Sequence, residues 1–377
     1  LIAERGRIPD SYLPYSQLTS FTYHYGFHSL VAFFHWATGI EVVWSVVIVG
    51  QILSALVVAG AYFLAVTLTR NRWAGLIAGL VAGLLSPMPA YYVNWGRYTQ
   101  LAGQTILPFA ISLTVLAVEK ARRRDIALAA IMVGGVMVSH FRVAAFYFAF
   151  AGVFLLYEAV RLRSHRSELV RRTLILLAIS GGGAIVSLPW LLNQANHLIT
   201  KYITYVTETP IIASDWLKEY SQLAGFDTYI GYQLLGIAAL GLLMGVIWRR
   251  RAAVLITMWV TALFLTANPS WVGIPETGTI NNFAVVIALY LPISTAVGFL
   301  VIAALEVFRA HAKNLQALVI VLVLFLGVWG AANGLSIRDS SYALVNESDL
   351  RAMAWIKENS PSQARFLVNA FPTGNRG

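Results

Sequence analysis

The sequence predicts an all-α polytopic membrane protein with about ten transmembrane helices. Hydrophobic residues make up 58% of its 377 residues and charged residues only 12%, whereas soluble domains carry about 25% charged residues. Ten apolar stretches approach or exceed the length of roughly 20 residues that a helix needs to cross a bilayer core. The loops between these stretches alternate in charge, as the positive-inside rule requires of multi-pass proteins.

The ten apolar stretches occupy residues 42–334, which we predict to be the transmembrane domain. The stretch 125–139 is short, and we expect it to form a tight hairpin with 141–160, broken at residues 139–142. The predicted spans are residues 42–69, 73–90, 101–118, 125–139, 141–160, 172–192, 231–248, 252–268, 280–305 and 315–334.

Basic residues are concentrated in every second loop. Five loops carry 16 of the 27 lysines and arginines but only five of the 17 acidic residues. Because the positive-inside rule places such loops in the cytoplasm, we predict a multi-pass cell-membrane protein whose other, polar loops are external or periplasmic. The net charge of +10 then reflects orientation, so membrane lipid, and not nucleic acid, is the expected partner. The basic loops are residues 70–72, 119–125, 158–172, 249–251 and 306–313.

Two flanking segments complete the predicted architecture. Residues 1–41 form a first outer loop, in which the aromatic-rich stretch 22–38 is predicted to be a helix lying in the membrane interface. Residues 335–377 begin an outer soluble α/β domain, because apolar residues recur at helical spacing over 349–357 and a strand-like stretch follows at 364–369. We expect the chain to be an internal piece of a longer protein.

Polar residues in the predicted outer loops are the first candidates for function, since polar groups at membrane depth are costly unless they are paired or used. Arg97 is followed closely by Tyr98, Gln100 and Gln104. A guanidinium group can bind phosphate with two parallel hydrogen bonds, so this segment predicts an anion or sugar site. The alternative is a capped loop that anchors the chain in the interface.

His140 and Arg142 lie in a turn with few other polar residues nearby. An arginine so close to the bilayer must snorkel, pair with an acid or bind a ligand. A lipid phosphate at headgroup depth is the ligand that we predict, and snorkelling is the alternative. Lys201 and Tyr202, in the long loop 193–230, are further candidates for phosphate or sugar binding; an ordinary solvated loop is the alternative.

The remaining candidates belong to a predicted sugar or acceptor cavity. Glu276 and Asn281 flank the start of the span 280–305, where such groups suit sugar hydroxyls, although asparagines also cap helices. His24 and His28 have the i, i+4 spacing of metal ligands, but no nearby carboxylate completes a set, so we assign them to this cavity and predict no metal site. Cysteine is absent, which excludes disulfides and thiolate chemistry.

Three segments resemble parts of the GT-C superfamily of membrane glycosyltransferases. AERGRIP at 3–9 with YGFHSLVAFFHWATG at 25–39 is similar to the family's first outer loop; His28 and Gly39 match best, and the family's proline pair is absent. RNRWAGLIAG at 70–79, followed by Ser86 and Pro87, is similar to the third span and its proline exit. DLRAMAWIKENSPSQARFLVN at 349–369 resembles the start of an outer soluble domain. The likeness is strongest to the protein O-mannosyltransferases, the lipid A aminoarabinose transferases and their uncharacterised bacterial and archaeal cousins.

This resemblance implies a glycosyltransferase that moves a sugar from a polyprenyl-phosphate-linked donor to a protein, lipid or glycan acceptor on the outer face. It implies that Arg97, His140 and Arg142 hold the donor phosphate. It also implies a catalytic Asp upstream of Leu1, since no Asp in residues 1–41 has the family's setting. A divalent metal ion is left open as a cofactor.

Two other functions stay open. One is a non-catalytic membrane subunit or scaffold of a larger complex, which keeps the fold without the catalytic base. The other is a transporter or flippase for a lipid-linked substrate. Many transporters consist of two related halves with broken helices, and the sequence contains no such internal repeat.

Overall fold

A computed structural model describes residues 1–13, 23–195, 223–274, 280–307, 312–337, 345–361 and 364. Every regular element in these ranges is helical, which confirms the predicted all-α class. The first ten α-helices are α1 (Ile2–Arg5), α2 (Gly26–Thr38), α3 (Val42–Thr69), α4 (Arg72–Leu80), α5 (Ala90–Asn94), α6 (Tyr98–Lys120), α7 (Arg123–Ser139), α8 (Phe141–Arg161), α9 (Arg166–Val186) and α10 (Leu188–Gln194).

The described part of the second half adds further helices. A π-helical segment, Val81–Leu85, continues α4, and a 3-10 turn, Pro269–Val272, follows α13. The α-helices are α11 (Phe226–Tyr229), α12 (Tyr232–Ile247), α13 (Arg251–Ala267), α14 (Asn282–Val286), α15 (Tyr290–Val307), α16 (Ala312–Leu335) and α17 (Glu347–Asn359).

Each of the ten predicted spans falls on a helix or on consecutive helices. The helices α12 and α13 are apolar but shorter than a full span. These helices make the chain a multi-pass membrane protein, while the count of ten spans stays a prediction. Six described segments are long and apolar enough to cross a membrane: Val42–Thr69, Arg72–Asn94, Tyr98–Lys120, Phe141–Arg161, Arg166–Val186 and Asn282–Glu306.

The bundle contains one break that was predicted from the sequence and one that was not. The break between the spans 125–139 and 141–160 falls at His140, which is extended (φ −165°, ψ 120°) between α7 and α8. The predicted span 172–192, by contrast, is divided, because α9 ends at Val186 and α10 begins at Leu188. Pro189 lies in the first turn of α10; a proline there needs no N–H partner, but it cannot continue the preceding helix.

The flanking segments also contain helices. The helix α2 forms where an interfacial helix is predicted, and its place in the interface stays a prediction. The helix α17 begins with a capping box, in which Asn346 and Asp349 each bond the other's backbone. The predicted strand at 364–369 lies outside the described residues except for residue 364, so the α/β domain also stays a prediction.

The helix α6 is at the centre of the bundle. Its most apolar window is 78% buried, as is that of Asn282–Glu306, whereas the windows of α3 and α9 are only 28% and 22% buried. Large apolar side chains such as Trp44, Leu174 and Leu177 are exposed on those outer helices. Such a continuous apolar surface is typical of a lipid-facing one.

The bundle has two chemically different ends. At the end that we call the histidine end, α6 begins at Tyr98 in a cavity shared with His140. At the arginine end, α6 finishes at Lys120, where residues from all five predicted basic loops line one cavity. The structure therefore groups the basic loops at one end, as the predicted alternation requires. With 23 residues at about 1.5 Å each, α6 separates the two ends by about 35 Å.

Candidate functional site

A cavity of about 580 Å³ opens at the histidine end. It is lined by the start of α6, the turn between α7 and α8, and the segment from Tyr23 to α2. Half of the twelve residues predicted from the sequence to bind phosphate, sugar or acceptor converge here: His28, Arg97, Tyr98, Gln100, His140 and Arg142. These residues are up to 114 positions apart in the chain, between His28 and Arg142.

Arg97 is held in place by its local backbone and by two aromatic rings. Gly96 adopts a left-handed conformation (φ 65°) that a glycine takes without a steric cost, and the chain turns there from α5 into α6. The Arg97 guanidinium lies 5.2 Å from the centre of the Trp95 ring and 5.1 Å from that of Phe283. Cation–π contacts at this distance are attractive, so they fix the position of the charge in the cavity.

Two histidines stack beside this charge. The rings of His24 and His140 are 4.9 Å apart with an interplanar angle of 18°. The Phe141 backbone N–H donates to His24 Nε2 at 2.9 Å, so Nε2 carries no proton and the proton of the neutral ring must lie on Nδ1. This bond joins the segment before α2 to the start of α8.

Burial keeps both of these histidines neutral. It lowers the pKa of His24 to about 4, with smaller contributions from His28 and Arg142. It also lowers the pKa of His140 far below its usual value, and His24, Arg142 and Arg97 add to the effect. The positive charge of the cavity at neutral pH therefore comes from Arg97 and Arg142, and the histidines provide neutral nitrogen atoms.

Several buried polar atoms around the cavity lack a hydrogen-bond partner. They are Nδ1 of His24 and of His140, Nε2 of Gln100, and both Nε2 and Oε1 of Gln104. Gln100 and Gln104 lie one turn apart on the same face of α6. An unsatisfied buried polar group costs about 1–3 kcal/mol, so this group of atoms indicates a place for a polar ligand or ordered water.

The charge of the cavity suits an anion with an apolar part. No acidic side chain among the described residues lines it, whereas Arg97 and Arg142 both do. An apolar pocket of about 250 Å³ adjoins it and shares Tyr23, His28 and Val46 with it. The cavity could bind the phosphate of a lipid phosphate, and the apolar pocket could bind its hydrocarbon chain.

Three other predicted site residues are described, and none of them lines this cavity. His24 stacks behind it, and Gln104 is fully buried one turn beyond Gln100. Asn281 caps α14, where its side chain accepts the Ala284 N–H at 2.9 Å, which is the alternative that its position in the sequence left open. Lys201, Tyr202 and Glu276 lie outside the described residues. Across the residues that the structure covers, no cluster of three histidine or acidic side chains could hold a metal ion.

Sequence reasoning missed two groups at the site. Trp190 stacks on His24 with 5.7 Å between ring centres, and its buried Nε1 has no partner. Tyr23 Oη and Thr99 Oγ1 are 3.2 Å apart and join the segment before α2 to α6. In the sequence, Pro189 indicates the helix break just before Trp190. No other feature of the sequence points to the contact of Trp190 with His24.

The helical bundle defines the chain as a polytopic membrane protein, and the cavity at its histidine end is cationic. A crystal structure of the Archaeoglobus fulgidus oligosaccharyltransferase, tethered to an acceptor peptide with an NVT sequon, has a similar fold with a TM-score of 0.62. The two are 14% identical, and the match covers 96% of this chain and 52% of that one. This chain therefore spans about half the length of the archaeal protein.

The chain belongs to the family of unknown function DUF6541, whose model matches residues 9–273. No curated protein matches the sequence. The matched range includes α2 to α13 and therefore nearly all of the cavity at the histidine end. The predicted GT-C fold is confirmed, and the closer likeness to O-mannosyltransferases or aminoarabinose transferases stays a prediction.

Proposed function

We propose that this protein is a GT-C glycosyltransferase that moves a sugar from a polyprenyl-phosphate-linked donor to an acceptor outside the cytoplasm. The observation that carries the proposal is the cavity at the histidine end. It combines Arg97 and Arg142 with unsatisfied buried polar groups, and an apolar pocket adjoins it. A polyprenyl phosphate has the matching arrangement of an anion joined to a hydrocarbon chain.

In this proposal the two guanidinium groups bind the phosphate that leaves when the sugar is transferred. Negative charge develops on that phosphate in the transition state, and donors that are already in place stabilise it without reorganisation. The rings of Trp95 and Phe283 hold Arg97 for this purpose. Gln100 and Gln104 on α6, with His24 and His28, would face the sugar or the acceptor.

The catalytic base of the proposed reaction is the Asp that the GT-C resemblance implies, and none of the described carboxylates lines the cavity. The histidine end would face the periplasm or the exterior, because the basic loops meet at the opposite end. The archaeal structure contains an acceptor peptide, which makes a peptide or protein the first acceptor to test, before a lipid or a glycan. Lys201, Tyr202, Glu276 and Asn281 stay candidates for the same donor and acceptor.

The decisive experiment compares binding of a polyprenyl monophosphate with binding of the matching polyprenol, which lacks the phosphate. In nanodiscs, R97Q and R142Q should each weaken binding of the phosphate roughly tenfold or more, because a hydrogen bond to a charged group is worth about 1.5–3 kcal/mol. Binding of the polyprenol should not change. The control is R163Q, because Arg163 is exposed and distant from this cavity. Equal binding of the phosphate by all variants would refute the proposal.

A non-catalytic subunit that binds the lipid phosphate is the second candidate, and the absence of a lining carboxylate among the described residues favours it. A transfer assay with the full-length protein and a radiolabelled polyprenyl-phosphate sugar separates the two. Transfer that depends on Arg97 and Arg142 supports the enzyme. Binding that depends on these arginines, without transfer to any peptide, lipid or glycan acceptor, supports the subunit.

A further inference from the structure

A second cavity, larger than the one at the histidine end, is at the arginine end, opposite the proposed transferase site. Its volume is about 720 Å³, and it lies between the ends of α3, α6, α8, α9, α13 and α15. Two acidic residues, Glu119 and Glu306, contribute to its lining. Six basic side chains also line it: Arg70, Lys120, Arg161, Arg172, Arg250 and Arg251. The cavity therefore has a clear excess of positive charge.

Internal ion pairs use only part of this charge. Glu119 pairs with Arg251 and, at 3.4 Å, with Arg70. The buried Glu158 pairs with Arg161 and Arg172, both at 2.6 Å. These two acids bridge four arginines.

Lys120 and Arg250 are the remaining cations of the lining, and neither forms an ion pair within the described parts of the chain. Two positive charges thus face the cavity in addition to the bridged arginines. Glu306 also lines the cavity and offsets part of this charge, so the lining keeps an excess of positive charge for an anion.

Arg251 gives the second, independent indication of a ligand. Its Nη1 bonds Glu119, while its Nε and Nη2 are buried without a hydrogen-bond partner. These two nitrogens form one edge of the planar guanidinium and donate two parallel N–H groups, which match two oxygens of a phosphate. The Phe154 ring supports the guanidinium at 5.7 Å. One edge of this arginine, which lines the cavity, therefore has no acceptor among the described residues.

Part of the cavity lining, on α15, is apolar, although Glu306 follows on the same helix. Phe299, Ile302 and Ala303 of α15 line it beside the basic residues. A free phosphate ion would use only the basic wall, whereas a phospholipid would also place the start of its acyl chains against α15. Basic pockets between transmembrane helices are known to bind anionic lipid headgroups on the cytoplasmic side.

We propose that this cavity binds the phosphate of an anionic phospholipid, with the free edge of Arg251, Lys120 and Arg250 as its ligands. The inference does not depend on the proposed transferase activity. The bound lipid would join α6, α13 and α15 at the end of the bundle where the basic loops meet.

The test measures which lipids the full chain retains. Native mass spectrometry of protein taken from mixed vesicles of phosphatidylglycerol and phosphatidylcholine should show preferential retention of phosphatidylglycerol. R251Q should reduce that preference about tenfold, and the double variant K120Q/R250Q should reduce it as well. R163Q is the matched control, because Arg163 is exposed and outside the lining.

The double variant keeps the test decisive if R251Q, which also loses its pair with Glu119, fails to fold. Equal retention of both lipids by the unaltered protein would overturn the proposal, and so would an unchanged preference in K120Q/R250Q. A third arm adds excess inorganic phosphate to detergent-solubilised protein. If phosphate alone displaces the lipid and raises the melting temperature as much as phosphatidylglycerol does, the site binds phosphate and the lipid assignment is wrong.

Discussion

A single methyl group added at Gly26 should disturb the histidine end. A Cβ at this position would lie 3.0 Å from the Val138 carbonyl oxygen and 3.1 Å from Ser139 Cα, whereas ordinary contact begins at 3.4 Å. Both are backbone atoms of α7, which no rotamer change can move aside. In Gly26→Ala the start of α2 must therefore retreat by roughly 0.3–0.4 Å.

That retreat acts directly on His24, two residues earlier. The hydrogen bond from Phe141 N–H to His24 Nε2 is 2.9 Å and would lengthen to about 3.2–3.3 Å, at the limit of normal geometry. Overpacking costs about 1–3 kcal/mol, so we expect Gly26→Ala to lower the free energy of unfolding by this amount. Because the stacked histidines border the cavity, binding of polyprenyl phosphate should weaken too.

The assay is reversible unfolding in mixed micelles, with lipid-phosphate binding measured on the same samples. Gly152→Ala is the control, since a Cβ there meets no atom within 4 Å and alanine favours a helix more than glycine does. It should be neutral or slightly stabilising. If Gly26→Ala and Gly152→Ala unfold alike, the close approach of α2 to α7 does not hold the histidines in place.

Three further changes test the bundle and its electrostatics. Ala121 ends α6 in a left-handed conformation (φ 52°), which is strained for alanine but not for glycine. Ala121→Gly should therefore raise the free energy of unfolding by about 1 kcal/mol. An unchanged free energy of unfolding would show that the turn is unstrained. Tyr147→Phe removes the partner of the buried Thr114 hydroxyl, which lies 2.9 Å from the Tyr147 hydroxyl. It should lower the free energy of unfolding by about 1 kcal/mol in the same assay. An unchanged free energy of unfolding would mean that Thr114 finds another partner. The pKa of His24 is about 4 in the folded protein and 6.5 otherwise, so the unfolded chain binds more protons between these values and stability should fall as pH drops from about 7 to about 4. The pKa of His140 is lowered too, so the variant His24→Gln should flatten that pH dependence in part. An identical slope would show that His24 does not contribute to it.

Much of the fold follows from patterns that are local in the sequence. The apolar stretches predict the helices, and the charge of the intervening loops predicts which connections share an end of the bundle. The prediction failed at 172–192 because hydrophobicity cannot distinguish a continuous span from two helices that meet at Ser187. Pro189 carries the relevant information, since it fits the start of a helix and not its middle.

Those residues of the site that stand out within their own stretch of sequence could be predicted. His140 and Arg142 are conspicuous because few other polar residues lie near them in the sequence, and Arg97 is conspicuous because it opens a polar segment between two apolar stretches. All three line the cavity. Their neighbours depend on contacts between distant segments: the His24–Phe141 bond joins residues 117 positions apart. No periodicity records such a contact, so the stacking of Trp190 and the neutral state of the histidines required the structure.

The length of the central helix α6 sets the distance between the two cavities along the membrane normal. Its length of about 35 Å slightly exceeds the hydrocarbon thickness of about 30 Å, so we expect the cavities at its two ends to lie near the headgroups of opposite leaflets when α6 crosses the bilayer. Because most of α6 is enclosed by other helices, it cannot tilt alone to relieve hydrophobic mismatch. In a thicker bilayer the membrane must thin around the protein, or acyl chains will cover the positions where the phosphates should sit.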